Sequence, residues 1–260
     1  MVAILGTTYT GEYEPVRQLC EALEQHNQRT GGDVGIHVDG ASGGFVAPFL
    51  TPELRWDFRL PLVRSINASG HKFGLVYPGL GWVVWRAAAD LPPELIFHVN
   101  YLGGDQPTFN LNFSRGAGQV VAQYYNFLRL GRAGYRELMH AMHATTGSLS
   151  AAVMATGHFE LLSKPGALPL VCVRLRGERP YTVFDLSAKL RERGWIVPAY
   201  TMAPNAQNVA VLRMVVRESL SRDMAECLAA DLDRAVRYFD AAGAAAAQTP
   251  KQETKTKGVC

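Results

Sequence analysis

In the segment 67-NASGHKFGL-75, Lys72 follows a short predicted strand and a Ser-Gly-His turn, and this segment is the most informative part of the sequence. Small and apolar residues flank Lys72, so we expect its amine to be partly removed from water. Desolvation disfavours the charged ammonium and favours the neutral amine, which can attack an aldehyde. The alternative is a surface lysine at a strand end, and for a lysine without this context the alternative would be preferred.

Upstream, the stretch 36-IHVDGASGGF-45 predicts a strand that stops at Asp39 and a loop of small residues. A carboxylate at the end of an apolar strand needs a polar partner. An aspartate that only caps the following loop is the alternative. The surrounding order of helix, strand, loop and strand predicts an α/β layer with a mostly parallel sheet. Its predicted elements are strands at 2–5, 36–38, 65–68 and 81–85 and a helix over 14–28.

Downstream, a long loop is predicted over 100–112, followed by a helix over 116–130. Apolar residues lie at three-to-four spacing on one face of this helix (Val120, Val121, Tyr124, Leu128). Gly131 and Gly134 are predicted to break it before a second helix over 135–155. The remaining pattern predicts a smaller α+β domain, with strands at 170–173 and 209–216 and helices over 183–193 and 224–239. The aromatic residues predicted to lie in the core are Trp56, Phe58, Trp82, Trp85 and Phe113.

Arg213 lies inside the apolar stretch 209-VAVLRMVV-216. A charge within a buried strand requires a counter-charge. Arginine is suited to binding a carboxylate through two parallel hydrogen bonds. The counter-charge is either the carboxylate of a ligand or an internal Asp or Glu.

Composition excludes several classes of protein. The 260 residues are 48% apolar and 19% charged, and the net charge of +3 is not concentrated in any stretch, which argues against nucleic-acid binding. No run approaches the ~20 apolar residues that span a bilayer, so no membrane segment is expected. The four cysteines show no CxxC spacing, so no metal site is expected and the cytoplasm is the default compartment. Because Met1 leads directly into a predicted strand, we expect the chain to be a truncated version of a longer one.

The stretch 67–75 resembles the cofactor-lysine segment of the group II amino-acid decarboxylases, whose hallmark is Ser-x-His-Lys. The stretch 37–45 is similar to the aspartate strand of that family. The resemblance runs from Thr7 to about Phe239, and one departure is Gly40, where the family has alanine; we expect little consequence. Motifs that resemble the glutamate decarboxylases, in particular the plant-type members, are 56-WDFRLP-61, 113-FSR-115, 123-QYY-125, 128-LRLG-131 and the terminal 258-GVC-260.

The resemblance implies the aminotransferase-like α/β fold (fold type I) and the cofactor pyridoxal 5'-phosphate. Residues 1–130 would be the later part of the large cofactor domain, 131–241 the small domain and 242–260 a disordered tail. Lys72 would carry the cofactor and Asp39 would hold its ring nitrogen. The other implied contacts are Thr8, Ala41, His71 and Ser114 to the cofactor and Arg213 to the α-carboxylate of the substrate. The residues alone allow alternatives to these roles. Thr8 or Ser114 could be a helix N-cap, Ala41 a small turn residue and His71 a residue that only packs locally.

The implied reaction converts L-glutamate to 4-aminobutanoate and carbon dioxide. The implied assembly is a homo-oligomer in which Ser114 reaches the cofactor phosphate of a neighbouring subunit. One alternative is a catalytically deficient fragment or isoform that assembles with full-length subunits, and we expect residues 1–260 alone to show little turnover. Another alternative is a group II decarboxylase for a different amino acid.

The C-terminal tail lacks the features of a calmodulin target. Plant-type members of the resembled family usually carry a basic amphipathic helix with an anchoring tryptophan. Residues 242–257 contain no tryptophan, phenylalanine or leucine, and Pro250 interrupts any helix. We therefore expect no calcium-dependent binding of calmodulin.

Overall fold

A computed structural model describes residues 1–101, 103–112 and 114–243. Most of the predicted tail, including the terminal 258-GVC-260, and Phe113 of the 113-FSR-115 motif lie outside the described residues. The chain divides into two units: Met1–Gly6 with Tyr13–Tyr135, and Thr7–Glu12 with the chain from Arg136 onward.

The first unit is built on a four-stranded sheet in the order β1-β2-β3-β4. β1, β2 and β3 are parallel, whereas β4 is antiparallel to β3, so the predicted mostly parallel sheet is confirmed. The strands of this unit are β1 (Val2–Ile4), β2 (Ile36–Asp39), β3 (Val63–Ser69), β4 (Gly81–Trp85), β5 (Phe97–Val99) and β6 (Gln106–Thr108), and its helices are α1 (Val16–Thr30), α2 (Ala47–Leu50) and the first part of α3 (Gly118–Ala155).

The core of the first unit lies between this sheet and α1. Ala3 and Val38 are fully buried, and Val16 and Cys20 of α1 belong to the same apolar cluster. α1 ends where Gly31 adopts a left-handed conformation (φ 69°), a helix stop that glycine tolerates best. These elements fix β2 and β3 side by side, with their carboxyl ends at the same edge of the sheet.

The second unit contains a four-stranded antiparallel sheet in the order β7-β8-β10-β9 and two further helices, as expected for the predicted small α+β domain. Thr182 and Asp185 form a capping box that starts α4, and Ser221 caps α5. The elements are β7 (Phe159–Leu161), β8 (Leu170–Leu175), α4 (Val183–Arg191), β9 (Ala199–Thr201), β10 (Ala210–Val215) and α5 (Arg222–Ala242).

Several predictions about these elements were wrong. The predicted loop over 100–112 contains β6, which pairs with β5, and neither β7 nor β9 was predicted. Gly131 has non-helical dihedral angles (φ 56°, ψ −167°) and interrupts α3 as predicted, but Gly134 is helical. Ala242, assigned to the tail, is the last residue of α5.

The apolar face predicted for the first part of α3 is largely exposed. Val121 is 63% exposed, Tyr124 62% and Leu128 70%, whereas Gln123 is fully buried. The residue that α3 turns inward is therefore polar. Among the predicted core aromatics, Trp56 is buried, Phe58 and Trp85 are half-buried, and Trp82 is exposed, which contradicts its core assignment.

Within the described ranges, no helix is both long enough and apolar enough to cross a membrane.

Candidate active site

Asp39 is the last residue of β2, at the carboxyl edge of the parallel sheet. Its Oδ1 accepts hydrogen bonds from the backbone N–H of Ala41 and from the side-chain amide of Asn67, each at 3.0 Å. Both hydrogen bonds fall on one carboxylate oxygen. The other oxygen, Oδ2, receives no hydrogen bond from the described residues and can accept one from a ligand.

A polar ladder across β2 and β3 supports Asp39. Asn67 uses its amide nitrogen on Asp39, so its oxygen accepts a hydrogen bond from His37 Nε2 (2.9 Å). In a neutral imidazole, His37 Nδ1 then accepts from the hydroxyl of Ser65 (2.8 Å). His37, Ser65 and Asn67 were not predicted as site residues. The signal was present, since polar residues at alternate positions of two apolar strands share one face of the sheet.

Lys72 lies in the turn Gly70–Gly74 that follows β3. Its Nζ donates a hydrogen bond to the hydroxyl of Ser42 at 3.3 Å, and its side chain is half-buried. No carboxylate of the described chain forms an ion pair with Lys72. The amine can therefore react with an aldehyde without first leaving a charged partner. Ser42, missed by the sequence analysis, is a candidate because it belongs to the small-residue loop after Asp39.

The backbone of Ala41 joins the aspartate to the lysine turn. Its N–H donates to Asp39, and its carbonyl accepts from the N–H of Ser69 (3.1 Å). The structure thus brings Asp39, Ala41 and the Lys72 turn together at one sheet edge. The ring of the neighbouring His71 is half-buried and forms no hydrogen bond with the described residues, so both ring nitrogens remain available.

Gly40 was expected to tolerate a methyl group with little consequence, and the structure contradicts this. A Cβ at Gly40 would lie 2.8 Å from the backbone oxygen of Asn67. Contacts that short are not tolerated, so the backbone of β3 would have to shift. The close approach of the loop to the end of β3 accounts for the glycine.

Ser114 is exposed and has a left-handed backbone (φ 50°). Because α3 begins at Gly118, Ser114 is not its N-cap, and that alternative is removed. The adjacent Arg115 hydrogen-bonds to Asn110 (2.9 Å), and both line an open cavity of about 690 Å³. The structure of a single chain places Ser114 on the surface of the first unit.

In the second unit the structure brings Thr8 and Arg213 together. Arg213 Nη1 donates a hydrogen bond to the carbonyl of Thr8, and its guanidinium lies 5.8 Å from the centre of the Tyr200 ring. Tyr200 in turn donates to the carbonyl of Tyr9 (2.8 Å). Thr8 is not a helix N-cap, because α1 begins at Val16 after Pro15.

Arg213 has no acidic partner in the described part of the chain. The arginine was expected to need a counter-charge, and the alternative was an internal Asp or Glu. The structure supplies a backbone carbonyl instead, and Arg213 Nε is buried without a hydrogen-bond partner. A buried donor without a partner is unfavourable, so Arg213 can still donate to a hydrogen-bond acceptor of a ligand, for which a carboxylate is suited.

The remaining reactive groups considered are the cysteines and the side chains that could bind a metal ion. Cys172 faces Arg213 across β8 and β10, and burial raises the pKa of its thiol to about 11, although a hydrogen bond with Tyr200 and the charge of Arg213 act against this. Cys172 is therefore a neutral core thiol and not a nucleophile. Cys20, Cys172 and Cys227 are free. In the portion that the structure describes, no group of His, Cys, Asp and Glu could hold a metal ion.

Comparison with known proteins gives consistent results. Residues 1–176 match the model of the pyridoxal-dependent decarboxylase conserved domain. The chain is 55% identical to a glutamate decarboxylase from Petunia hybrida over 240 residues, which are 92% of this chain and 48% of the relative. It is 51% identical to a glutamate decarboxylase from Aliivibrio fischeri over 242 residues, 92% of this chain and 52% of the relative. The chain spans about half the length of the curated relatives it matches.

Among solved structures, the chain is similar to a glutamate decarboxylase from Lactobacillus brevis. The TM-score is 0.88 and the identity 46%, over 92% of this chain and 55% of that one. A tryptophan decarboxylase from Catharanthus roseus, 20% identical, shares the fold with a TM-score of 0.72. These likenesses confirm the predicted α/β fold class.

Proposed function

The chain belongs to the pyridoxal-dependent decarboxylase family, and we propose that it serves the decarboxylation of L-glutamate to 4-aminobutanoate and carbon dioxide with pyridoxal 5'-phosphate. One observation carries the proposal. The carboxylate of Asp39 and the turn that bears Lys72 are joined through the backbone of Ala41 at the carboxyl edge of the parallel sheet. Ligands of α/β proteins bind at this edge.

The residues present fit the cofactor. Asp39 offers a carboxylate oxygen without a partner in the described chain, which suits the N–H of a protonated pyridine ring. Lys72 offers an amine whose neighbour is the hydroxyl of Ser42, which suits a covalent bond to an aldehyde. When bound, pyridoxal phosphate supplies an electron sink for the bond that breaks at the α-carbon.

We assign the following roles to the residues of this chain. Lys72 tethers the cofactor, and Asp39 keeps a proton on the ring nitrogen, because a carboxylate favours the charged form of the group that it contacts. His71 and Ala41 contact the ring, and Thr8 contacts the cofactor. Arg213, which has no acidic partner among the described residues, binds the α-carboxylate of the substrate.

We further propose that the chain works in a homo-oligomer in which Ser114 reaches the cofactor phosphate of a neighbouring copy. The exposure of Ser114 and of the apolar residues Val121, Tyr124, Tyr125 and Leu128 supports this, because contiguous exposed apolar side chains mark interaction surfaces. We retain 1–130 and 131–241 as the proposed domain ranges. The free thiols of Cys20 and Cys172 support the cytoplasm as the compartment.

A second candidate is a chain without activity of its own that assembles with full-length decarboxylase subunits. The observation that favours it is that the chain spans about half of its relatives. The distinguishing measurement is turnover by the chain alone and after co-expression with a full-length subunit.

The test of the main proposal is product formation. Protein supplied with pyridoxal phosphate is given glutamate, aspartate, tryptophan or methionine in turn, and amines are identified by NMR. We expect 4-aminobutanoate from glutamate, at the low rate expected of residues 1–260 alone. Product should be lost in Lys72→Ala and unchanged in the matched control Lys189→Ala, whose side chain pairs with Glu192 at the C-terminal end of α4. Faster turnover of another amino acid would refute glutamate as the substrate.

A further inference from the structure

The turn that bears Lys72 is closed by its own backbone. The N–H of Lys72 donates to the carbonyl of Ser69, and the N–H of Val76 donates to the carbonyl of Gly70, each at 3.2 Å. Leu75 completes the turn with a left-handed backbone (φ 67°), which is unfavourable for a residue with a branched side chain. Such a turn keeps its shape only if surrounding groups hold it.

Gln123 and Tyr135 of α3 hold the carbonyl of Gly74. The amide nitrogen of Gln123 donates to this carbonyl (2.8 Å) and to the hydroxyl of Tyr135 (3.0 Å). The hydroxyl of Tyr135 donates to the same carbonyl at 3.0 Å. Both lone pairs of the Gly74 oxygen and both N–H groups of Gln123 are therefore used, and this pattern fixes the orientation of the amide.

Two neighbours on the same face of α3 extend this contact. Asn126 donates to the carbonyl of Leu75 (2.9 Å), and Gln119 accepts from the N–H of Tyr77 (3.1 Å). Residues 119, 123 and 126 follow the spacing of one helix face. We call Gln119, Gln123, Asn126 and Tyr135 the α3 clamp.

Two glycines make room for the clamp. A Cβ at Gly70 would lie 2.7 Å from the Gln123 oxygen, and a Cβ at Gly74 would lie 2.8 Å from it. A Cβ at Gly74 would also lie 2.6 Å from the backbone oxygen of Gly70. Both glycines therefore leave room for the glutamine, and Gly74 also leaves room for the backbone of the turn itself.

Stability alone does not account for Gln123. It is fully buried, and its side-chain oxygen has no hydrogen-bond partner in the described chain. A buried acceptor without a partner is destabilising, and an apolar residue would avoid it. The amide is retained at a position where its two N–H groups hold the lysine turn.

We propose that the α3 clamp consists of positioning residues that fix the turn bearing Lys72, so that its amine is presented in one orientation at the end of β3. The effect of the clamp on catalysis rests on the proposed function of Lys72. The effect of the clamp on the shape of the turn does not. Gln123 of the motif 123-QYY-125 and the nearby Asn126 and Tyr135 thereby gain a physical role: they act on Lys72 through the backbone of Gly74 and Leu75.

The test compares variants that remove one or two clamp hydrogen bonds with matched controls elsewhere. Asn126→Ala and the isosteric Asn126→Asp remove the donor to Leu75, and Tyr135→Phe removes the hydroxyl. Asn27→Ala removes two hydrogen bonds to Val34, and Tyr181→Phe removes a hydrogen bond to Asp240. Hydrogen exchange of the full chain is followed by mass spectrometry, and exchange of residues 70–77 is expressed relative to that of β3.

We expect this ratio to rise about tenfold in the clamp variants and to stay unchanged in the controls. Borohydride reduction after incubation with pyridoxal phosphate should also label Lys72 less completely in the clamp variants. An unchanged exchange ratio overturns the proposal, even if a variant is less stable overall, because global unfolding raises both segments together. If the unsubstituted chain fails to label Lys72 while the ratio responds, the clamp stands and the proposed function fails.

Discussion

The side-chain amide of Asn67 donates a hydrogen bond to Asp39 Oδ1 over 3.0 Å, at positions that are paired between β2 and β3. Together with the N–H of Ala41 it directs two donors to one oxygen of the carboxylate. This arrangement fixes the orientation of the carboxylate and leaves Oδ2 open to a ligand. The support of Asp39 is thus as much a part of the site as Asp39 itself.

Replacing Asn67 should therefore weaken cofactor binding. Asn67→Ala removes one of the two donors to Asp39 and leaves His37 Nε2 without its acceptor. We expect the dissociation constant of pyridoxal phosphate, measured by absorbance titration, to rise about tenfold, the effect of losing one hydrogen bond to a charged group. Asn27→Ala should leave it unchanged. Equal affinity in both variants would show that the ladder does not support Asp39.

The role of Arg213 predicts a selective loss of substrate binding. In Arg213→Gln, kcat/KM for glutamate should fall about 100-fold, because two charge-assisted hydrogen bonds to a carboxylate are lost. Inhibition by 4-aminobutanoate, which lacks the α-carboxylate, should be unaffected. Arg174→Gln on the neighbouring β8, whose partner is Glu160, is the control. If 4-aminobutanoate binding weakens as much as that of glutamate, Arg213 does not recognise the α-carboxylate.

Asp231 predicts a pH-dependent contribution to the stability of the second unit. Burial raises its pKa, but hydrogen bonds from Arg193 and the indole N–H of Trp195 and the charge of Arg234 outweigh burial and leave the pKa lowered. A lowered folded-state pKa means that this stabilisation is present above the unfolded value of about 3.9 and is lost as the pH falls through the folded value.

Asp231→Asn should accordingly lower the free energy of unfolding by about 1.5–3 kcal/mol at pH 7. The difference from the unsubstituted protein should shrink below about pH 4, as measured by thermal unfolding over a pH series. Asp33→Asn, at a carboxylate that is 80% exposed, is the control and should change stability little. A difference for Asp231→Asn that grows on acidification has the wrong sign for this account.

The exposed face of α3 predicts self-association. Leu128→Glu places a charge among Val121, Tyr124 and Tyr125 and should shift the protein toward a smaller species in sedimentation velocity. The control is Ile196→Glu, at an apolar residue that is 76% exposed in the second unit. A monomer before substitution, or no shift in Leu128→Glu, would remove this face as a subunit contact.

The parts of the fold that could be predicted from sequence are those with enough length to show a pattern. β2, β3, β4 and the first turns of α1 carry apolar runs or periodic spacing, and the order of these elements was sufficient for the fold class. β5, β6, β7 and β9 have three residues each and include polar residues, whereas the equally short β1 is wholly apolar and could be predicted. For α3, periodicity identified an apolar face but could not show whether that face is buried. The face is largely exposed, and the buried residue of this part of the helix is Gln123.

The candidate site also contains residues that could be predicted from sequence and residues that could not. Lys72 and Asp39 could be predicted as site residues because each is a reactive side chain at or just after the end of an apolar strand. His37, Asn67 and Ser42 act through hydrogen bonds between segments about 30 positions apart, and such pairings depend on strand register. The assigned roles of Thr8, Ala41, His71, Ser114 and Arg213 stay predictions.

The proposed function depends above all on which lysine carries the cofactor. The protein is incubated with pyridoxal phosphate, reduced with borohydride, digested and mapped by mass spectrometry, with Lys72→Ala and Lys189→Ala treated in parallel. We expect a label on Lys72 that is retained in Lys189→Ala and absent from Lys72→Ala. A label on Lys164 or Lys189 in place of Lys72, or equal labelling of Lys72→Ala, would contradict it.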